Sequence, residues 1–129
     1  MAQAYNLYLI GIRELDEEHE DMLRLTREIG NAVISQRSEH ELLALLDRFI
    51  FAAQSHFAHE EEIFAPYRLP GEQRHKEEHQ ALLEQIAAAR NKIAEGYDGK
   101  MRKPLLKLAD IVNRHVISFD MEIQPHLDS

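Results

Sequence analysis

Apolar residues recur along this chain at three- and four-residue steps, the spacing that lines one face of an α-helix. The first stripe runs through Leu15, His19, Met22, Thr26, Ile29 and Val33, with Asp16 as a candidate cap. Ser38 and Glu41 make a capping box that opens a second stripe through Leu42, Leu45, Phe49, Ala53, His56 and Glu60, which Pro66 stops. A third passes through His75, His79, Leu82, Ile86 and Ile93 and ends at Gly96, a residue type favoured just past a helix C-terminus. Pro104 suits the first turn of a fourth, through Leu105, Leu108, Val112, His115 and Phe119, with Pro125 beyond its end. No stretch alternates like a strand. The pattern predicts an all-α fold, an up-down-up-down four-helix bundle joined by short loops, as one domain over residues 1–129.

The polar members of these stripes are mostly histidines, and their spacing is not arbitrary. In an antiparallel helical hairpin, residues at equal height are equidistant from the middle of the connection. The midpoint between His19 and His56 falls between Arg37 and Ser38, where the capping box begins. That between Glu60 and His75 falls between Tyr67 and Arg68, inside the Pro66–Gly71 turn. That between His79 and His115 falls at Tyr97, inside the Gly96–Gly99 turn. The predicted bundle therefore gathers these six side chains at one level, near one end.

Composition narrows the chemistry. The chain has 8 histidines and no cysteine, which excludes disulfides, iron–sulfur clusters and zinc–thiolate sites and leaves nitrogen and oxygen as metal donors. A formal charge of −8 argues against nucleic acid as a partner. Neither an export signal nor a membrane span is visible, so the expected location is the cytoplasm, without membrane insertion.

A lone histidine on an apolar stripe is more often a hydrogen-bonded core residue than a ligand. His19, His56, His75, His79 and His115 together with Glu60 are different: as structural residues they would bury several polar rings without partners. A metal site satisfies them at once. The donors exceed the needs of one tetrahedral ion and suit two ions sharing bridging carboxylates, with one ion held by part of the set as the alternative. Asp120 lies five residues after His115, about 140° round an ideal helix, so it is either a surface charge or a ligand brought round by a π-type widening.

Other patterns fail. His75-Lys-Glu-Glu-His79 is no zinc-protease helix, because Lys76 stands where the general base belongs. Only Glu72–His75 offers a Glu-x-x-His pair, where a ferritin-like centre needs two. His40 and His126 read as solvated, His59 as surface or just behind the site, and Glu61 and Glu62 as facing water.

Asp16-Glu-Glu-His19, His56-Phe-Ala-His-Glu60, His75-Lys-Glu-Glu-His79 and His115-Val-Ile-Ser-Phe-Asp120 together resemble the hemerythrin family in its single-domain bacterial form. The resemblance implies two iron ions, a non-haem di-iron centre with a solvent-derived bridging oxygen. His75, His79 and His115 would bind one iron, His19 and His56 the other, and Glu60 and Asp120 would bridge them, with the fourth helix distorted near Asp120. It implies reversible binding of dioxygen at the iron with two histidines, for storage, buffering or delivery, and no enzymatic role. Met22, Phe57, Val112 and Val116 are the expected oxygen-pocket residues, and none is an acid. Such a pocket must be dry and tight. The alternatives are a di-iron enzyme acting on peroxide or nitric oxide, or an oxygen or iron sensor working through a separate partner. An oxygen-consuming enzyme or a reductase would be the natural partner. The chain departs from its relatives in having no tryptophan, with Tyr5 and Tyr8 near its start, and in carrying Ile111 where an aromatic is common.

Overall fold

The computed structural model describes residues 10–96, 102–118, 123 and 125, with backbone alone for 116–118. Helix α1 spans Arg13–Ile34 and α2 spans Glu39–Phe64, followed by a 3-10 turn at Ala65–Tyr67. Helix α3 spans Glu72–Glu95, and the fourth rod is split into α4 (Arg102–Leu106) and α5 (Leu108–Ser118). Helix α1 packs on α2, α2 on α3, and α4 and α5 on α1, the neighbours expected of an up-down-up-down bundle. All stripe positions assigned to α1 and α3 are buried.

Several local expectations are corrected. Asp16 does not begin α1, which starts at Arg13 with Ile12 before it and no side-chain cap. Its carboxylate reaches back to accept from the backbone N–H groups of Ile10, at 2.7 Å, and Gly11, at 3.1 Å. Gly11 has φ 104°, a conformation that a side chain would strain, so the entering chain bends there before being tied to the helix. Along α2 the buried position is Leu46, with Leu45 only half-buried. Ser38 caps as expected, its hydroxyl accepting from the Glu41 N–H at 3.1 Å.

The fourth rod is interrupted at Lys107. Its N–H bonds back three residues to the Pro104 carbonyl, at 3.2 Å, before four-residue bonding resumes from Ile111 to Lys107 at 3.1 Å. Phe119 and Asp120, and with them the expected distortion of this rod, lie outside the described residues.

The end of α1 closes in a Schellman arrangement: Arg37 N–H donates to Ala32 at 3.0 Å and Gln36 N–H to Val33 at 3.2 Å. The left-handed residue of that motif is Gln36, at φ 54°.

Core packing explains where the polar residues go. A large apolar cluster centres on Phe49, Leu46, Ile29 and Met22, and a smaller one joins Ile10, Leu15, Phe64, Leu69 and Ile123. On each rod the predicted donors sit between the two. His19 lies between Leu15 and Met22, Glu60 between Phe57 and Phe64, and His75 and His79 between Leu69 and Leu82. A polar layer thereby lies between two hydrocarbon clusters, whose low polarity strengthens the electrostatic contacts inside.

Candidate metal centre

The three predicted levels close. Glu60 Oε1 lies 3.0 Å from His75 Nε2 and 3.0 Å from His79 Nε2. The rings of His79 and His115 have centroids 4.7 Å apart, and those of His19 and His56 6.4 Å apart. One donor atom from each of Glu60, His75, His79 and His115 falls within 4.8 Å of the other three, and all four residues are buried. Such convergence of imidazole and carboxylate is the donor set of a divalent first-row metal.

Glu60 is fully buried, and its two oxygens face different ways. Oε1 meets His75 and His79, whereas Oε2 lies 3.4 Å from Nε2 of His56. A single carboxylate thus spans the gap between a three-histidine group and the His19/His56 pair. His19 is fully buried, and neither ring nitrogen has a partner among the described residues. Burial pushes its imidazole from 6.5 down to about 4; the charge of His56 adds to the fall, Glu60 opposes it, and His115 adds a little more. A neutral imidazole with a free lone pair is the form that binds a cation.

Carboxylates outside the layer set the histidine tautomers. Because a carboxylate only accepts, each of these contacts puts the proton on Nδ1 and aims Nε2 inward. His56 Nδ1 donates to Glu18 at 2.9 Å, and His79 Nδ1 donates to Glu61 at 2.7 Å. The second oxygen of Glu18 accepts from His59 Nδ1 at 2.8 Å. Glu61 is half-buried, so the expectation that it faces water is wrong; Glu62 is exposed as expected. His59 is indeed just behind the site. Glu18 was not singled out from the sequence. The available signal was its position one residue before His19, on the flank of α1 that turns toward α2.

Phe57 lies flat on His79, with centroids 4.0 Å apart and planes 7° apart, and Phe64 tilts against His75 at 5.6 Å. These rings wall the layer with hydrocarbon. Next to His19 and His56 lies a small cavity of about 10 Å³, lined by Met22, Phe49, Phe57, Leu82, Ile86, Ile111, Val112 and His115. That is room for about one water-sized molecule. Of the expected pocket residues, Met22, Phe57 and Val112 line it, and the side chain of Val116 lies outside the described residues. Phe49, Leu82 and Ile86 were not anticipated there, since helical periodicity marks them only as core. Asp120 and His126 also lie outside the described residues, and His40 is exposed.

Among the described residues no helix is long and apolar enough to cross a membrane. No curated protein matches the chain. Residues 10–127, nearly the whole length and every histidine and carboxylate of the layer, match the family described as the hemerythrin HHE cation binding domain. With that coverage and a buried histidine–glutamate cluster at the expected level, the chain belongs to the hemerythrin family.

Proposed function

We propose that this chain binds dioxygen reversibly at a non-haem di-iron centre and serves oxygen storage, buffering or delivery in the cytoplasm. In this reading His75, His79 and His115 would hold one iron and His19 and His56 the other, with Glu60 and Asp120 as the carboxylates that would serve both. The pair of ions supplies the electrons for reversible uptake of the gas. The residues present fit it: nitrogen and oxygen donors only, converging in a layer closed by apolar side chains.

The observation that carries the oxygen-binding reading is the small cavity beside His19 and His56. It adjoins His19 and His56, the pair with fewer histidines, and has room for about one water-sized molecule. Apart from the histidines its described lining is wholly apolar, so it offers no carboxylic acid, lysine or tyrosine to deliver a proton. Met22, Phe49, Phe57, Leu82 and Ile86 make its walls hydrocarbon, which disfavours an ordered water there. Those features favour binding and release over cleavage of the O–O bond.

The test is metal analysis of protein purified without oxygen, followed by spectra on aeration and then under vacuum. About two iron atoms per chain and a visible band that appears with oxygen and vanishes under vacuum are expected. A band that never forms, or an oxidised product that vacuum does not reverse, overturns the reading.

A further inference from the structure

Helix α3 meets the fourth rod at the level of His79 and His115, and beyond that level the described residues of the seam line a groove of about 730 Å³. That volume lies within the roughly 300–1,000 Å³ typical of small-molecule sites. Measured along α3 from Glu78 to Ala89, the groove is about 16 Å long. Its floor is hydrocarbon from Leu46, Leu82, Ile86, Leu105 and Leu108.

Its charge runs against the rest of the molecule. The chain carries −8 overall, yet Lys103, Lys107 and Arg114 line this groove against a single acid, Glu78. Counting outward from Tyr97, the midpoint of His79 and His115, Arg114 stands level with Gln80, within one turn of Glu78, at one end. At the other, Ala89 stands level with Leu105, between Lys103 and Lys107. The surplus positive charge is therefore confined to the Lys103–Lys107 end, and both lysines are exposed there.

We propose that this seam binds an aliphatic carboxylate of medium or long chain. The head group pairs with Lys103 and Lys107, and the alkyl chain lies on the leucine floor toward Leu82 and Ile111. A long apolar trough with cations at one end selects for that shape and that charge together, by burial of methylenes and by charge-assisted hydrogen bonding. Leu82, Ile86, Ile111 and His115 line both this groove and the inner cavity, so the tail of the ligand would rest against the outer wall of the metal layer. The binding itself does not rest on the oxygen-binding reading, and either can fail alone.

The experiment is isothermal titration of the full chain with dodecanoate below its micelle concentration, beside dodecanol and dodecyltrimethylammonium. Saturable binding of dodecanoate is expected, with either comparator weaker by about tenfold or more. The double variant Lys103→Glu/Lys107→Glu, checked for helix content by circular dichroism, should weaken dodecanoate by about tenfold. Because the chain has no tryptophan, Gln85→Trp places a sole reporter in the groove, and its emission should shift to the blue at the same ligand concentration. Absence of saturable binding, undiminished binding by the double variant, or equal binding of the cationic amphiphile overturns the proposal. So does binding to phosphatidylglycerol vesicles without binding to monomeric dodecanoate, which would mark a membrane-facing surface instead.

Discussion

Glu18, on α1, accepts a 2.9 Å hydrogen bond from Nδ1 of His56, on α2, and so decides which nitrogen of that ring faces the interior. Removing the negative charge while keeping the shape isolates this effect. Glu18→Gln is expected to weaken metal binding by about ten- to a hundredfold with the helices intact, as for other carboxylates behind a ligating histidine. Competition against a chelator of known affinity measures it. Glu62→Gln, an exposed change on α2, is the control and should leave affinity unaltered.

Glu60 makes opposite demands on the empty and the loaded protein. It is a fully buried carboxylate, which costs free energy whenever no cation neutralises it. Glu60→Met should therefore raise the stability of the metal-free chain by about 1–3 kcal/mol. The same change should abolish metal-dependent stabilisation. Thermal melts with and without chelator test both halves, and a variant that melts lower in both states would contradict the account.

Acidification should destabilise the metal-free chain through His19. Its folded value of about 4 lies below the ordinary 6.5, so between those two the unfolded chain binds a proton that the folded chain refuses. Stability is then indifferent to this group above pH 6.5 and falls as pH drops from 6.5 toward about 4. Urea midpoints of the metal-free protein across that window should fall more steeply than those of His19→Leu.

Gln36 occupies a left-handed position that favours glycine. Gln36→Gly should stabilise the protein by about 0.5–1 kcal/mol, read as a shift in the urea midpoint at unchanged slope.

Much of this arrangement is legible in the sequence because two periodicities coincide. The 3.6-residue repeat places His19, His56, His75, His79 and His115 on inward faces, and the symmetric spacing about each turn sets them at one height. Other features escape because they belong to the space between helices. Glu61 follows Glu60 by one residue, about 100° round the helix, and nothing in α2 alone reveals that His79 of α3 meets it there. Glu18 has the same history. Asp16 looks like a cap in the sequence but is not one, because its partners, the N–H groups of Ile10 and Gly11, lie upstream in the chain. The break at Lys107 is a further case: Pro104 is visible in the sequence, but the tightened turn after it depends on backbone bonding.

Of the four donors that converge most closely, Glu60, His75 and His79 come from a single hairpin, α2 with α3, and only His115 arrives from α5. The hairpin partners are near in sequence, so they meet early and at low entropic cost. A cation would thus find three of these four donors on that one hairpin. His115 on α5 supplies the fourth donor and closes the set from the last rod.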